Sequence, residues 1–239
     1  MDFKKFEDQF HPSWHAKIRP FIESNECNDI YAFLKKESKR GKKIAPISMH
    51  VWRCFRETSL DDLKLVIVGM SPYHTFKNYA PVADGLLMGC SVTNALQPTL
   101  DQFYQGIERE LYDGLNLSYY PNPDVTYLAS QGVLMLNAAL TVEMNKAGSH
   151  LEIWEPFMKY LFEEVISVAG VLILFLGKDA AKYKKYTGIF SHNFIVSHPA
   201  SASYKSTEWD SENVFTKINT LLKENNNFNI EWLDTDVPF

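Results

Sequence analysis

The chain has 239 residues, 46% of them hydrophobic, and a formal net charge of −5. That length and apolar content suit one compact domain, residues 1–239, with a sizeable core, and they exclude a disordered chain. The negative balance gives no sign of a general polyanion binder, so any contact with nucleic acid has to come from local basic clusters.

In chain order, the first segment, MDFKKFEDQF, is too polar for a signal peptide, and no apolar run approaches the ~20 residues of a membrane span. Cys27, Cys54 and Cys90 are odd in number and lack metal-ligand spacing. They read as reduced thiols in a cytoplasmic protein. Lys35, Lys36, Lys39, Arg40, Lys42 and Lys43 form a basic cluster that reads as a solvated helix face. Leu65–Val68 is a short apolar run closed by Gly69, which predicts a buried strand; Met70–His74 follows as a turn carrying polar residues. Thr99–Tyr112 has apolar residues at helical spacing. Val133–Leu136 is a second strand, ending at Asn137. Leu151–Val168 is a second amphipathic helix, with Trp154, Phe157, Met158, Leu161 and Phe162 on its apolar stripe. Val171–Leu176 and Phe194–Val196 complete four strands, ending at Gly177–Lys178 and Ser197–His198. A second basic cluster, Lys178, Lys182, Lys184 and Lys185, follows the third strand.

Strands alternating with helices predict an α/β fold with a central, mostly parallel four-stranded sheet and helices on both faces. Such a sheet gathers its sites at the carboxyl ends of the strands. Ser71, Tyr73, His74, Asn137, Lys178 and His198 are then expected around one cleft.

Several of these segments resemble one family. LVIVGMSPYH (65–74) is similar to the first active-site motif of family 1 uracil-DNA glycosylases, Gly-Gln-Asp-Pro-Tyr-His. PSWHAKIRPF (12–21), the approach 44–69, VLMLNAALTV (133–142) with AGSH (147–150), VLILFLGK (171–178) and NFIVSHPASASY (193–204) resemble further family segments in the same order. The resemblance implies a uracil-DNA glycosylase-like fold and a monomeric enzyme with DNA as its partner. No metal or organic cofactor is implied, because the sequence has no ligand cluster and no Gly-rich phosphate loop.

The family's roles carry over residue by residue. His198 matches the His near the pyrimidine O2, Asn137 the base-reading Asn, and Tyr73 the residue crowding the pyrimidine C5 position. His74 is placed to hold water or phosphate. Ser149, His150, Thr99 and Ser201 fall in segments that resemble the DNA-contacting loops. Other positions depart from the pattern. Met70 replaces Gln, Ser71 replaces the catalytic Asp, Met88 replaces the stacking Phe, Ala202 replaces the Leu wedge, and Lys178 replaces a phosphate-contacting Ser. Asp84, just before Gly85, is a candidate for the missing carboxylate, with Glu143 as a weaker one. Three readings follow. One is a glycosylase retargeted to a modified pyrimidine, such as a bulky modified cytosine of viral DNA, in a defence role. The second is a catalytically inactive DNA-binding or replication subunit. The third is an ordinary uracil-repair enzyme.

Overall fold

A computed structural model describes residues 1–112, 119–166, 171–189 and 191–235. Eight strands are present among them: β1 (Ile44–Ala45), β2 (Leu65–Gly69), β3 (Phe76–Lys77), β4 (Ala80–Pro81), β5 (Val133–Asn137), β6 (Val142–Glu143), β7 (Leu172–Leu176) and β8 (Asn193–Val196). The main sheet has the order β5-β2-β7-β8, and each of its neighbouring pairs is parallel. Every residue of β2, β5 and β7 is buried, which is why these segments read as unbroken apolar runs. β8 lies at the edge, and its Ile195 is exposed.

Register fixes the site. Gly69 lies opposite Asn137, Val68 opposite Phe175, and Leu176 opposite Val196. The four strands therefore end together, and the residues after them emerge at one edge. Gly177 (φ +83°) makes this closeness possible, because a Cβ there would stand 3.0 Å from His198 Cβ.

Helices pack around the sheet. The predicted helix over 99–112 spans Pro98–Tyr112. It carries Gly106 against the Trp209 indole, where a Cβ would come within 2.6 Å of the ring. The second predicted helix is α-helical over Leu151–Tyr160 and continues as a π-helical segment, Leu161–Ile166; its last expected positions, 167–168, lie outside the described residues. Trp52, Phe55, Trp154 and Phe157 meet edge-to-face at centroid separations of 5.0–5.8 Å, a geometry aromatic pairs favour. Trp52 and Phe55 meet each other tilted at 5.9 Å. This cluster ties the helix Leu151–Tyr160 to the segment before β2.

Cys27, Cys54 and Cys90 are free and buried. Burial pushes the Cys27 and Cys90 thiols up to about 12, so they are protonated core groups. Lys35, Lys36 and Lys39 are exposed on the helix Asn25–Lys39, the solvated face expected from their spacing. No helix among the described residues is long and apolar enough to cross a membrane.

Two short antiparallel ladders, of four strands in all, go beyond the elements expected from sequence. β1 pairs antiparallel with β6, and β3 with β4. Two-residue strands carry too little periodicity to be read from sequence.

Candidate functional site

A cavity of about 310 Å³ opens at the carboxyl edge of the sheet. Its floor and one wall come from the turn after β2, where Met70, Ser71, Tyr73 and His74 all line it. Backbone bonds hold this turn against the chain that follows β5. Ala138 N–H donates to Gly69 O (2.9 Å), Ala139 N–H to Met70 O (3.0 Å) and Asn145 N–H to His74 O (2.8 Å). Gly148 N–H donates to the Ser71 hydroxyl oxygen at 3.1 Å. The Ser71 side chain is therefore held by a backbone donor.

His198 enters from the end of β8. Its Nδ1 accepts a hydrogen bond from Ala200 N–H at 3.1 Å, so in the neutral ring the proton resides on Nε2. Burial pushes His198 down to about 4, which keeps it neutral at physiological pH. Lys178 is exposed on the rim, beside Gly177.

Three buried polar atoms in this region have no hydrogen-bond partner: Tyr73 Oη, His74 Nδ1 and Asn137 Oδ1. Leaving such an atom unpaired costs about 1–3 kcal/mol, so at Tyr73 and His74, which line the cavity, a ligand partner would gain affinity. Burial raises the Tyr73 hydroxyl well above the usual phenol range, so it is a neutral donor. Asn137 is nearly covered and is not in the cavity wall. Its Oδ1 and the Leu87 side chain converge on Gly69, where any Cβ would collide with Leu87.

The segment 84–91 supplies the opposite wall through Leu87 and Met88. Met88 is buried with φ +59°, a left-handed conformation rare for a bulky side chain. Asp84 holds this turn together. Its carboxylate accepts from Leu86 N–H (3.0 Å), Ser91 N–H (3.0 Å) and Ser91 Oγ–H (2.7 Å), and it pairs with Arg53 Nη1 at 2.9 Å.

Met70, Ser71, Tyr73, His74, Met88, Thr99, Lys178, His198 and Ser201 thus meet at one cavity, as expected. Other expected site residues lie elsewhere. Asp84 is wholly buried, is committed to Arg53 and does not line the cavity, so it is not placed to supply a carboxylate there. Glu143 is paired to Lys42 (2.7 Å) and Lys146 (2.8 Å), away from the cavity. His150 is buried and shares a 2.9 Å hydrogen bond with Thr141, so it presents no surface to DNA. Ser149 is exposed, but its Oγ accepts from Glu143 N–H (2.8 Å) and it does not line the cavity. Ala202 is only 5% exposed, so it is not available as a wedge.

Tyr204 and Asp179 are among the lining residues that the sequence reading does not name as site residues. Tyr204, 85% exposed, stands at the mouth on the same short helix as Ala202, Ala200–Lys205. Residues two apart on a helix face nearly opposite ways, which turns Ala202 inward and Tyr204 outward. Asp179 is the one carboxylate among the described lining residues, and it is paired to Lys182 at 2.5 Å. Its place next to Lys178, past a strand end, was the available signal. Among the described residues, no group of three or more His, Cys, Asp or Glu is placed to hold a metal ion.

The family model of the uracil DNA glycosylase superfamily matches residues 55–223. A uracil-DNA glycosylase of Streptococcus pneumoniae (serotype 19F, strain G54) is 32% identical over 226 residues, covering 93% of this chain and 99% of the relative. Among solved structures, the mimivirus uracil-DNA glycosylase superposes with a TM-score of 0.78 at 20% identity, covering 96% of this chain and 92% of the other. The wild-type UNG of Nitratifractor salsuginis gives 0.60 at 14% identity, covering 92% and 94%. At these identities the structural likeness speaks for the fold.

Proposed function

The chain belongs to the uracil-DNA glycosylase superfamily, and we propose that it is a DNA N-glycosylase whose target is a pyrimidine larger at C5 than uracil. The observation that carries this reading is the neutral His198 at a cavity that Tyr73 and His74, each with an unpaired buried polar atom, also line. A base in this cavity has left the duplex stack, at an extrusion cost of a few kcal/mol. Breaking the bond between the sugar C1′ and the base nitrogen sends the electron pair to the base. The Nε2–H of His198 donates to the base oxygen on which that charge collects. Water adds to C1′, and its proton leaves to solvent. Asn137 offers both donor and acceptor, but it lies outside the cavity wall, so it reads a pyrimidine edge only if the wall opens toward it.

The walls support a larger base. Ser71 and Ala147 are small, and Met88 is flexible where an aromatic would stack. Tyr204 at the mouth is placed to fill the space an extruded nucleotide leaves. A specificity of this kind suits defence against viral DNA that carries bulky modified cytosine. The third reading, ordinary uracil repair, is favoured by the Streptococcus relative.

The test is a panel of single-stranded and duplex oligonucleotides carrying uracil, cytosine, 5-hydroxymethylcytosine or its glucosylated form, with strand scission at abasic sites. Cleavage confined to the modified bases supports the proposal. Cleavage of uracil alone replaces it with the repair reading. DNA binding without cleavage of any substrate replaces it with a non-catalytic role.

A further inference from the structure

The loop that lines the cavity continues beyond His74 into a hairpin. Val82 N–H donates to Thr75 O at 3.0 Å, and β3 pairs with β4 in the register Phe76 to Pro81 and Lys77 to Ala80. The connection is Asn78–Tyr79, with φ +50° and +64°. Two successive positive φ values belong to the tight hairpin turn whose second position is ordinarily Gly. Here it is a tyrosine that is 102% exposed. The fold gains no burial from this ring and bears a backbone conformation that bulky residues avoid. Phe76 is 40% exposed, and Lys43 Nζ lies 5.3 Å from its ring centroid. Lys43 and Lys77 are both exposed, and among the described residues neither forms a salt bridge.

Two exposed aromatic rings and two uncompensated cations fit one kind of ligand. Bases stack on aromatic faces, and phosphates are drawn to the cations. In a chain of net charge −5 this is a local exception to the overall field. Tyr79 is five residues beyond His74, so their Cα atoms are at most about 18 Å apart. A strand with a phosphate every 3.4 Å covers that distance in about five nucleotides.

We infer that the hairpin Phe76–Pro81 is an auxiliary DNA-binding element that stacks an unpaired base flanking the target on Tyr79, with Phe76, Lys77 and Lys43 holding the same strand. This rests on reading the cavity as a DNA glycosylase site. The element acts on binding, and the chemical step at saturation does not depend on it.

The test is fluorescence anisotropy of a labelled uracil-bearing single strand and its duplex. It compares the wild-type chain with Tyr79→Gly, Tyr79→Phe, Phe76→Ala and the cavity-rim variant Lys178→Ala. Glycine suits the positive φ, so Tyr79→Gly is expected to melt no lower than the wild type. It is expected to bind the single strand about 5- to 150-fold more weakly, as loss of one stacked base implies. Tyr79→Phe keeps the ring and is expected to retain affinity. If Tyr79→Gly and Phe76→Ala bind as the wild type does while Lys178→Ala is weakened, the hairpin lies off the DNA path and only this inference falls. If those hairpin variants bind DNA normally but change the sedimentation of the protein, the hairpin is a protein contact and the inference is again overturned. If the wild-type chain binds no DNA, the glycosylase reading falls, and the hairpin's role with it.

Discussion

Replacing Ser71 with Asp puts a carboxylate at a place in the cavity where a backbone donor already holds a side-chain oxygen. Gly148 N–H lies 3.1 Å from Ser71 Oγ, and a carboxylate oxygen in that position would accept the same hydrogen bond. The gain comes from attraction to the cation-like sugar of the transition state. At a separation of about 4 Å and an effective dielectric of about 20, two unit charges attract by about 4 kcal/mol. Ser71 is half-buried, so desolvation of the new carboxylate takes back a part of this. A net of about 3 kcal/mol corresponds to an acceleration of about 10²-fold. Single-turnover cleavage of a uracil-bearing single strand is the assay, with Ser71→Asn as the uncharged control of similar shape. Ser71→Asp is expected to exceed both Ser71→Asn and the wild type. If Ser71→Asp is no faster than Ser71→Asn, charge at this position does not act on the reacting sugar, and the assignment of residue 71 as the vacated carboxylate position is refuted.

His198 is neutral in the fold, at about 4, against an ordinary 6.5, so between these values the unfolded chain binds a proton that the folded one does not. The resulting stability is fully present above pH 6.5 and falls by about 3 kcal/mol as pH drops to 4; urea denaturation of the wild type and His198→Asn across this range should show the slope reduced in the variant. Asp84→Asn breaks a buried pair with Arg53 and is expected to cost about 3–5 kcal/mol, a fall in Tm of about 6–20 °C by calorimetry. An unchanged Tm would show that Asp84 does not hold the turn 84–91. Met88→Phe narrows the wall without changing the backbone demand at φ +59°. It should lower kcat/KM on a C5-substituted pyrimidine by about 10- to 200-fold while sparing uracil, and equal losses on both would place Met88 outside base selection.

The sequence by itself determined the sheet. Strands β2, β5 and β7 are buried on both faces, so each is an apolar run that ends where a polar or glycine residue begins, and their parallel arrangement follows from the helices between them. Strand polarity then carried Ser71, Tyr73, Lys178 and His198 to one edge, because in a parallel sheet all carboxyl ends share it. Tertiary structure decided what each remaining polar group is partnered with. Asp84 reads locally as a turn carboxylate, and only Arg53, 31 positions earlier, makes it a structural anion. His150 was drawn into the core by Thr141 and Phe33. The phase of the helix Ala200–Lys205 hid Ala202 and exposed Tyr204. Apolar periodicity is a local property that the chain order carries. The partner of a buried charge or the outward face of a one-turn helix depends on contacts between segments far apart in sequence, which exist only once the fold has closed.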